Sequence, residues 1–172
     1  MNTRLLLTAL LVAAGLLIMP VVVAQPGKGS MGKGRPWDPA FTSDSNLFHG
    51  LLERRADIRR EVKMTKQGVE TLTESDKPDV AAAIQQHVAS MEKRVKDKQP
   101  IHLRDPLFAE VFRHADKIKF VSEKTEKGMR VTESSDDPYV VKLIQAHAEV
   151  VSLFIKNGFE EARRNHEPPT KP

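Results

Sequence analysis

The chain has 172 residues, 27 Lys and Arg against 23 Asp and Glu, a formal net charge of +4 and no cysteine. Without cysteine there is no disulfide framework, no lipoprotein anchor, no c-type haem attachment and no thiolate metal site. The charge is small and the two signs are interleaved, so no single-sign block marks a nucleic-acid surface.

Residues 1–24 read as a targeting segment: Arg4 is the positive n-region, Leu5 to Ile18 the apolar run, and Val22-Val23-Ala24 a small-residue cleavage site before Gln25. Leu5 to Ala24 is also long enough to span a bilayer, which makes an uncleaved anchor the competing reading; Pro20 and the small-residue end favour cleavage. The expectation is an exported protein, periplasmic or secreted, that meets a membrane only if this segment is retained. Residues 25–45 are rich in Gly, Pro, Ser and Lys without apolar periodicity and read as a flexible linker. Trp37 within it could pack back onto the domain or dock a partner. A single α+β domain is expected over 46–165, followed by a disordered tail at 166–172 that contains Pro168, Pro169 and Pro172.

The domain carries an internal repeat. Aligning 47–97 with 107–157 without gaps gives 13 identities in 51 positions, seven of them between residues 75 and 87. The units run 46–98 and 106–158, the second with a C-terminal helix extension, and each reads helix, strand, strand, helix. In the first, Leu47, Phe48, Leu51, Leu52 and Ile58 form a helical stripe, and Val62 and Met64 alternate with charged residues as in a half-buried strand. Lys66-Gln67-Gly68 is a turn with glycine placed for positive φ, and Val69 to Thr73 return. In the second, Leu107, Phe108, Val111, Phe112 and Ile118 form the stripe, Glu126-Lys127-Gly128 the turn and Met129 to Glu133 the return. Arg54, Arg55, Arg59, Arg60 and Lys63, mixed with Glu53, Asp57 and Glu61, read as a solvated helix face or, less simply, as an anionic-lipid or partner surface.

Ser75-Asp76-Lys77-Pro78 and Ser135-Asp136-Asp137-Pro138 open the last helix of each unit, with Asp76 and Asp136 suited to the N-cap and the prolines to the first turn. A hairpin cannot bury a face alone, so the two should join in a four-stranded antiparallel sheet covered by helices, related by a pseudo-twofold axis. Pairing within one chain and exchange between two chains are both compatible with the repeat.

One histidine per unit occupies the same point: His87, after Val80 and Ile84 and before Val88, Met91 and Val95, and His147, after Val140 and Ile144 and before Ala148, Val151 and Ile155. Both lie on the apolar stripe. A buried neutral imidazole needs a hydrogen-bond partner, and Gln85, Gln145, Thr73, Thr132 or backbone carbonyls are the candidates if the histidines are structural. The functional alternative is that the two imidazoles ligate one transition metal or haem iron. Met91 would add a thioether that favours copper or haem, although its counterpart is Val151. No carboxylate shares that helix face, which disfavours a hydrolytic zinc site. His49 and His114 are not repeat equivalents, and His102 in the linker and His166 in the tail are expected outside any buried site.

No HExxH, nucleophile elbow, P-loop or dinucleotide fingerprint is present, so no catalytic residue is expected. Two functions follow. One is an exported binding protein with a metal, copper or haem between the units on His87, His147 and Met91. The other is a cell-envelope interaction module with structural histidines, in which the helical face, the basic stretch and Trp37 hold a protein partner.

Overall fold

The computed structural model describes residues 38–171. In chain order these form α1 (Phe41–Glu53), β1 (Arg59–Thr65), β2 (Gly68–Glu74), α2 (Pro78–Asp97), α3 (Pro106–Arg113), β3 (Lys119–Lys124), β4 (Gly128–Ser134), α4 (Pro138–Asn157) and α5 (Phe159–Ala162), with single 3₁₀ turns at Arg55–Asp57 and Ala115–Lys117. The architecture is α+β, as expected. The targeting segment, Trp37 and most of the expected linker lie outside the described residues. Residues 41–45, expected in that linker, are the first turn of α1. They are helical because Asp44 is buried and accepts from Ser90 Oγ at 2.6 Å and Arg94 Nε at 2.6 Å. Arg94 also donates to both oxygens of Asp38 at 2.9 and 3.1 Å, so the start of the domain is fastened to α2 by one buried guanidinium.

The four strands are all antiparallel, in the order β1-β2-β4-β3. At the centre β2 pairs with β4 from Gly68↔Ser134 to Glu74↔Gly128. Both glycines are explained by that pairing. A Cβ on Gly68 would sit 2.0 Å from the Glu133 carbonyl oxygen, and one on Gly128 would sit 2.0 Å from that of Thr73. The turn geometry expected for glycine is thus the lesser reason at Gly68 (φ +154°), and Gly128 is not among the residues with positive φ. Successive side chains alternate between faces. Val62, Val69, Thr71, Met129 and Val131 point to the helices, while Arg59, Glu61, Lys63, Lys119, Val121 and Arg130 face solvent. The basic stretch expected on a helix face therefore divides at the strand. Arg59 and Lys63 point out, and Arg60 points in beside Thr73, to which its Nη1 donates at 2.7 Å.

The two long helices cross over. α2 lies on β3 and β4, and α4 lies on β1 and β2, while α1 packs on α2 and α3 on α4. One core joins Leu51, Val80 and Ile84 to Met129 and Val131; another joins Val69 to Val140, Ile144 and Ala148. Each half of the chain therefore buries the apolar face of the other's hairpin, and neither half has a complete core of its own. A third cluster runs through Leu52, Leu107, Val111, Tyr139, Leu143 and Phe154. α4 is long and apolar enough to cross a membrane by composition, but Val140, Leu143, Ile144, Ala148 and Phe154 are spent in these cores.

Side-chain hydrogen bonds fix the crossover. Gln85 on α2 donates to the carbonyls of Thr125 and Gly128 at 3.0 and 3.3 Å, and Gln145 on α4 donates to those of Thr65 and Gly68 at 3.0 and 3.2 Å. Pro78 and Pro138 are the first helical residues, as expected, but the N-caps are Lys77 and Asp137, one residue beyond the expected Asp76 and Asp136. A proline at the first helical position leaves only its direct predecessor as cap. Asp137 accepts from Tyr139 N at 2.9 Å, and Ser75 and Ser135 each accept from the amide two residues on. Asp76 instead pairs with Arg59 and Lys127, which hold its carboxyl well below the usual range, and Asp136 pairs with Lys119.

Candidate functional site

α2 and α4 pack on the sheet and on their short neighbours rather than extensively on each other, and the seam between them is filled by rings. His87 stacks on Phe48 at 6.0 Å between centroids. Phe48 meets Phe154 edge-on at 5.6 Å, Phe154 stacks on Phe108 at 5.8 Å, and Phe108 meets His147 edge-on at 5.0 Å. Phe48 and Phe108 are sixty residues apart, as are His87 and His147, so each half of the chain supplies one His–Phe pair; Phe154 joins them.

Both imidazoles are held neutral. Burial pushes His87 down to about 4, opposed by Asp44. Burial also pushes His147 down to about 4, helped by Arg60 and His87 and opposed by Asp105. Each ring is open on one rim, with 24% of the His147 side chain exposed, and sealed on the other: Nδ1 of both is buried without a hydrogen-bond partner. None of the four side chains expected to partner structural histidines bonds these atoms. Gln85 and Gln145 serve the hairpin turns, Thr73 accepts from Arg60, and Thr132 is exposed on the solvent face. A buried unpaired polar atom costs about 1–3 kcal/mol, a large share of the net stability of a domain, so two at matched positions require a reason.

Beneath His147 lies Glu133 on β4, 8% exposed, with Oε2 3.9 Å from His147 Nδ1. Burial pushes its carboxyl up to about 7, opposed by the field of Arg60. Arg60 is itself pulled down to about 10 by burial, and its Nε has no partner. A buried acid held above its ordinary range, a neutral imidazole and a buried guanidinium therefore meet at the sheet. Glu133 is not legible from the helix faces in the sequence because this carboxylate comes from a strand.

The other histidines are placed differently from expectation. His102 enters the ring cluster, edge-on to Phe108 at 4.9 Å and to Phe154 at 6.3 Å, with Nε2 buried and unpaired. Burial holds it below its ordinary pKa. His166, expected in a free tail, donates or accepts between two buried carboxylates, with Nδ1 2.6 Å from Asp105 and Nε2 3.0 Å from Glu161. Its pKa is raised: burial lowers it, but the bonds to Asp105 and Glu161 prevail. Its backbone carbonyl accepts from Leu107 N at 2.9 Å, so the segment after α5 is tied to α3. His49 is exposed and His114 bonds Glu110 at 3.3 Å, so neither belongs to the matched pair. Met91 is half-buried a turn beyond His87 and is not part of the apolar clusters.

Among the described residues no three His, Asp or Glu side chains gather closely enough to hold a metal ion. Two open surface hollows lie elsewhere, one beside Leu47, Arg54 and Asp79, the other beside Lys66, Ser135 and Gln145. The arrangement at the seam offers two lone-pair donors in an apolar, ring-lined setting, with a third unpaired imidazole beside Phe108. Compared with known proteins, the chain matches no family model, no curated protein and no solved structure.

Proposed function

We propose that this chain is an exported binding protein made of two tandem helix–hairpin–helix units related by a pseudo-twofold axis. A transition-metal centre, as a copper-type ion or as haem iron, is held between the units by His87 and His147. The observation that carries the reading is the pair of buried Nδ1 atoms, at matched positions, without partners. An unprotonated imidazole nitrogen whose lone pair accepts from no donor is a ready metal ligand, and imidazole suits copper, iron and zinc alike. His87 and His147 would be the protein's two ligands to such a centre, and Met91, a turn beyond His87, would be the nearest soft donor to a bare ion. The two-unit reading is supported by the reciprocal bonds of Gln85 and Gln145 and by the mirrored His–Phe pairs. Export is supported by the n-region, apolar run and cleavage pattern of residues 1–24.

The interaction-module alternative draws less support. Its basic stretch is internally committed, with Arg54 paired to Asp57 and Asp79, Arg59 to Asp76 and Lys63 to Glu70. The test is metal analysis and an absorption spectrum of the protein isolated from its own compartment. Stoichiometric copper or a Soret band is the expected result. A colourless, metal-free preparation that co-purifies with another protein would favour the alternative.

A further inference from the structure

The segment after α5 lies as a strap across the start of α3. His166 stands between two buried carboxylates, with Nδ1 2.6 Å from Asp105 Oδ2 and Nε2 3.0 Å from Glu161 Oε1. An ionised carboxylate only accepts, and a neutral imidazole carries a single N–H, so bonding both acids at once requires the imidazolium. The acids are acceptors on their other oxygens too: Asp105 Oδ1 accepts from Leu107 N at 2.9 Å, and Glu161 Oε2 from Asn157 Nδ2 at 2.5 Å. The His166 carbonyl accepts from the same Leu107 N, so ring and backbone clasp α3 together. The other charged groups around the ring are engaged elsewhere. Arg104, in the connection before α3, donates to the Ala162 carbonyl at 3.0 Å. Arg164, just after α5, pairs with Glu160 at 2.7 Å and comes only to 3.8 Å from Glu161. His102, also in the connection, is held below its ordinary pKa by burial. α4 presents Asn157 and the Phe154 ring, 6.2 Å from that of His166.

The far end of the strap is held more weakly. Lys171, 66% exposed, has Nζ 3.3 Å from Glu110 Oε1 and 5.3 Å from the centre of the Tyr139 ring. Glu110 keeps Arg113, His114 and the Tyr139 hydroxyl when Lys171 leaves, and an exposed ion pair of this kind contributes little. Closure therefore depends on the His166 end. From this arrangement we propose that residues 165–171 are a pH-operated strap: the His166 imidazolium clasps them to Asp105 and Glu161, and loss of its proton releases them and bares Leu107, Tyr139 and the edge of Phe154. A neutral ring turns a lone pair towards one of the two carboxylates, so one of the bonds becomes a repulsion. Burial lowers the His166 pKa, but the bonds to Asp105 and Glu161 prevail and raise it above the ordinary 6.5. The clasp is thus complete below pH 6.5 and is lost as the pH rises through the higher folded value. The device does not depend on what the seam between α2 and α4 binds.

The chain has no cysteine, so two nitroxide labels can be placed uniquely on the full chain, at Thr170→Cys in the strap and at Glu149→Cys on the exposed side of α4. The distance between them is measured at about pH 5.5 and about pH 9, on either side of the imidazole range. The expected result is a narrow distribution at the lower pH that gives way to a broad one at the higher, with the far-UV circular dichroism unchanged. His166→Ala should give the broad distribution at both pH values. Glu161→Gln should give the narrow one at both, because its amide N–H donates to a neutral Nε2 while its carbonyl still accepts from Asn157. Proton NMR of the His166 ring reads the same event without relying on the folding of either variant. Its titration midpoint should lie above 6.5 and coincide with that of strap release. A distance that is the same at both pH values, or a pH response that Glu161→Gln retains, overturns the inference. So does a His166→Ala strap that stays narrow at the lower pH, a ring midpoint at or below 6.5, or release that comes only with loss of the helical signal.

Discussion

Replacing Gly128 with alanine drives a methyl group into the backbone of the neighbouring strand. The added Cβ would lie 2.0 Å from the Thr73 carbonyl oxygen, 2.9 Å from Glu74 Cα and 3.0 Å from the Thr73 carbonyl carbon. A tolerable carbon–oxygen contact is roughly 3.3 Å, so β2 and β4 must part locally by about 1 Å. No flexible side chain can step aside, since every close atom is backbone. Parting the strands there strains the ladder bonds at that end, about 1 kcal/mol each for two bonds. It also loosens Met129, next along β4, from its place against Leu51, Val80 and Ile84. The expected loss is about 3 kcal/mol, from a domain whose total lies in the range of roughly 5–15 kcal/mol. The same substitution at Gly50 is the control: nothing lies within 4 Å of its added Cβ, in the last turn of α1. There alanine should raise stability by about 0.5–1 kcal/mol. Urea unfolding followed by far-UV circular dichroism reads both, with the midpoint shifting in opposite directions and the slope unchanged. A Gly128→Ala protein within about 0.5 kcal/mol of wild type would refute the close approach of β2 and β4 on which the sheet order depends.

Three further outcomes follow from the buried charges and the helix end. Arg94→Met leaves Asp38 and Asp44 without their guanidinium, at side-chain exposures of 1% and 6%, and should cost about 3–5 kcal/mol at neutral pH by urea unfolding. Because Arg94 lowers the Asp38 pKa below its ordinary 3.8, that pair's contribution is present above pH 3.8 and is lost as the pH falls through the lower folded value, so the variant should lack this acid loss in thermal scans. Glu133 is shifted the other way, from 4.5 up to about 7, so its contribution is complete below pH 4.5 and is lost as the pH rises through 7. Between pH 6.5 and 8 the wild type should lose about 1 kcal/mol that Glu133→Gln does not lose, measured by unfolding at the two pH values. Lys98, exposed at the C-terminal end of α2 with φ 53°, should yield about 0.5–1 kcal/mol when replaced by glycine, seen as a higher thermal midpoint.

Strand positions and the paired turns were legible in the sequence because period-two alternation around Val62 and Met64 and the repeated glycine are local signals. The prolines at the start of α2 and α4 were legible for the same reason, although the cap itself fell one residue later. Local signals stop where the chain crosses over. Nothing in the spacing of Ile84, Gln85 and His87 says that this helix covers the other half's hairpin, and that crossover is what turns Gln85 and Gln145 away from the histidines. The positive φ expected of Gly68 is present, but the close approach that also requires glycine at 68 and 128 was not legible: a turn is visible in sequence, the approach of a strand sixty residues away is not. At the site, the matched histidines and their apolar stripe could be read directly. Phe48 and Phe108 were visible as repeated residues but not as ring partners of those histidines. Glu133, Arg60 and His102 reach the seam from two strands and a connection, and only tertiary packing brings them there. His166 shows the same limit, since the proline-rich composition after Asn165 hides the two buried carboxylates that hold it.

The claim that the unpaired imidazoles of His87 and His147 await a metal centre is tested most directly by ligand titration of three proteins side by side. Wild type, His87→Ala and His147→Ala are each titrated with haemin, Cu(II) and Zn(II), following the absorption spectrum and the metal retained after dialysis. The account predicts one equivalent retained per wild-type chain and none in either variant, with all three proteins folded. Failure of the wild type to retain any probe, or uptake that survives both substitutions, would contradict it.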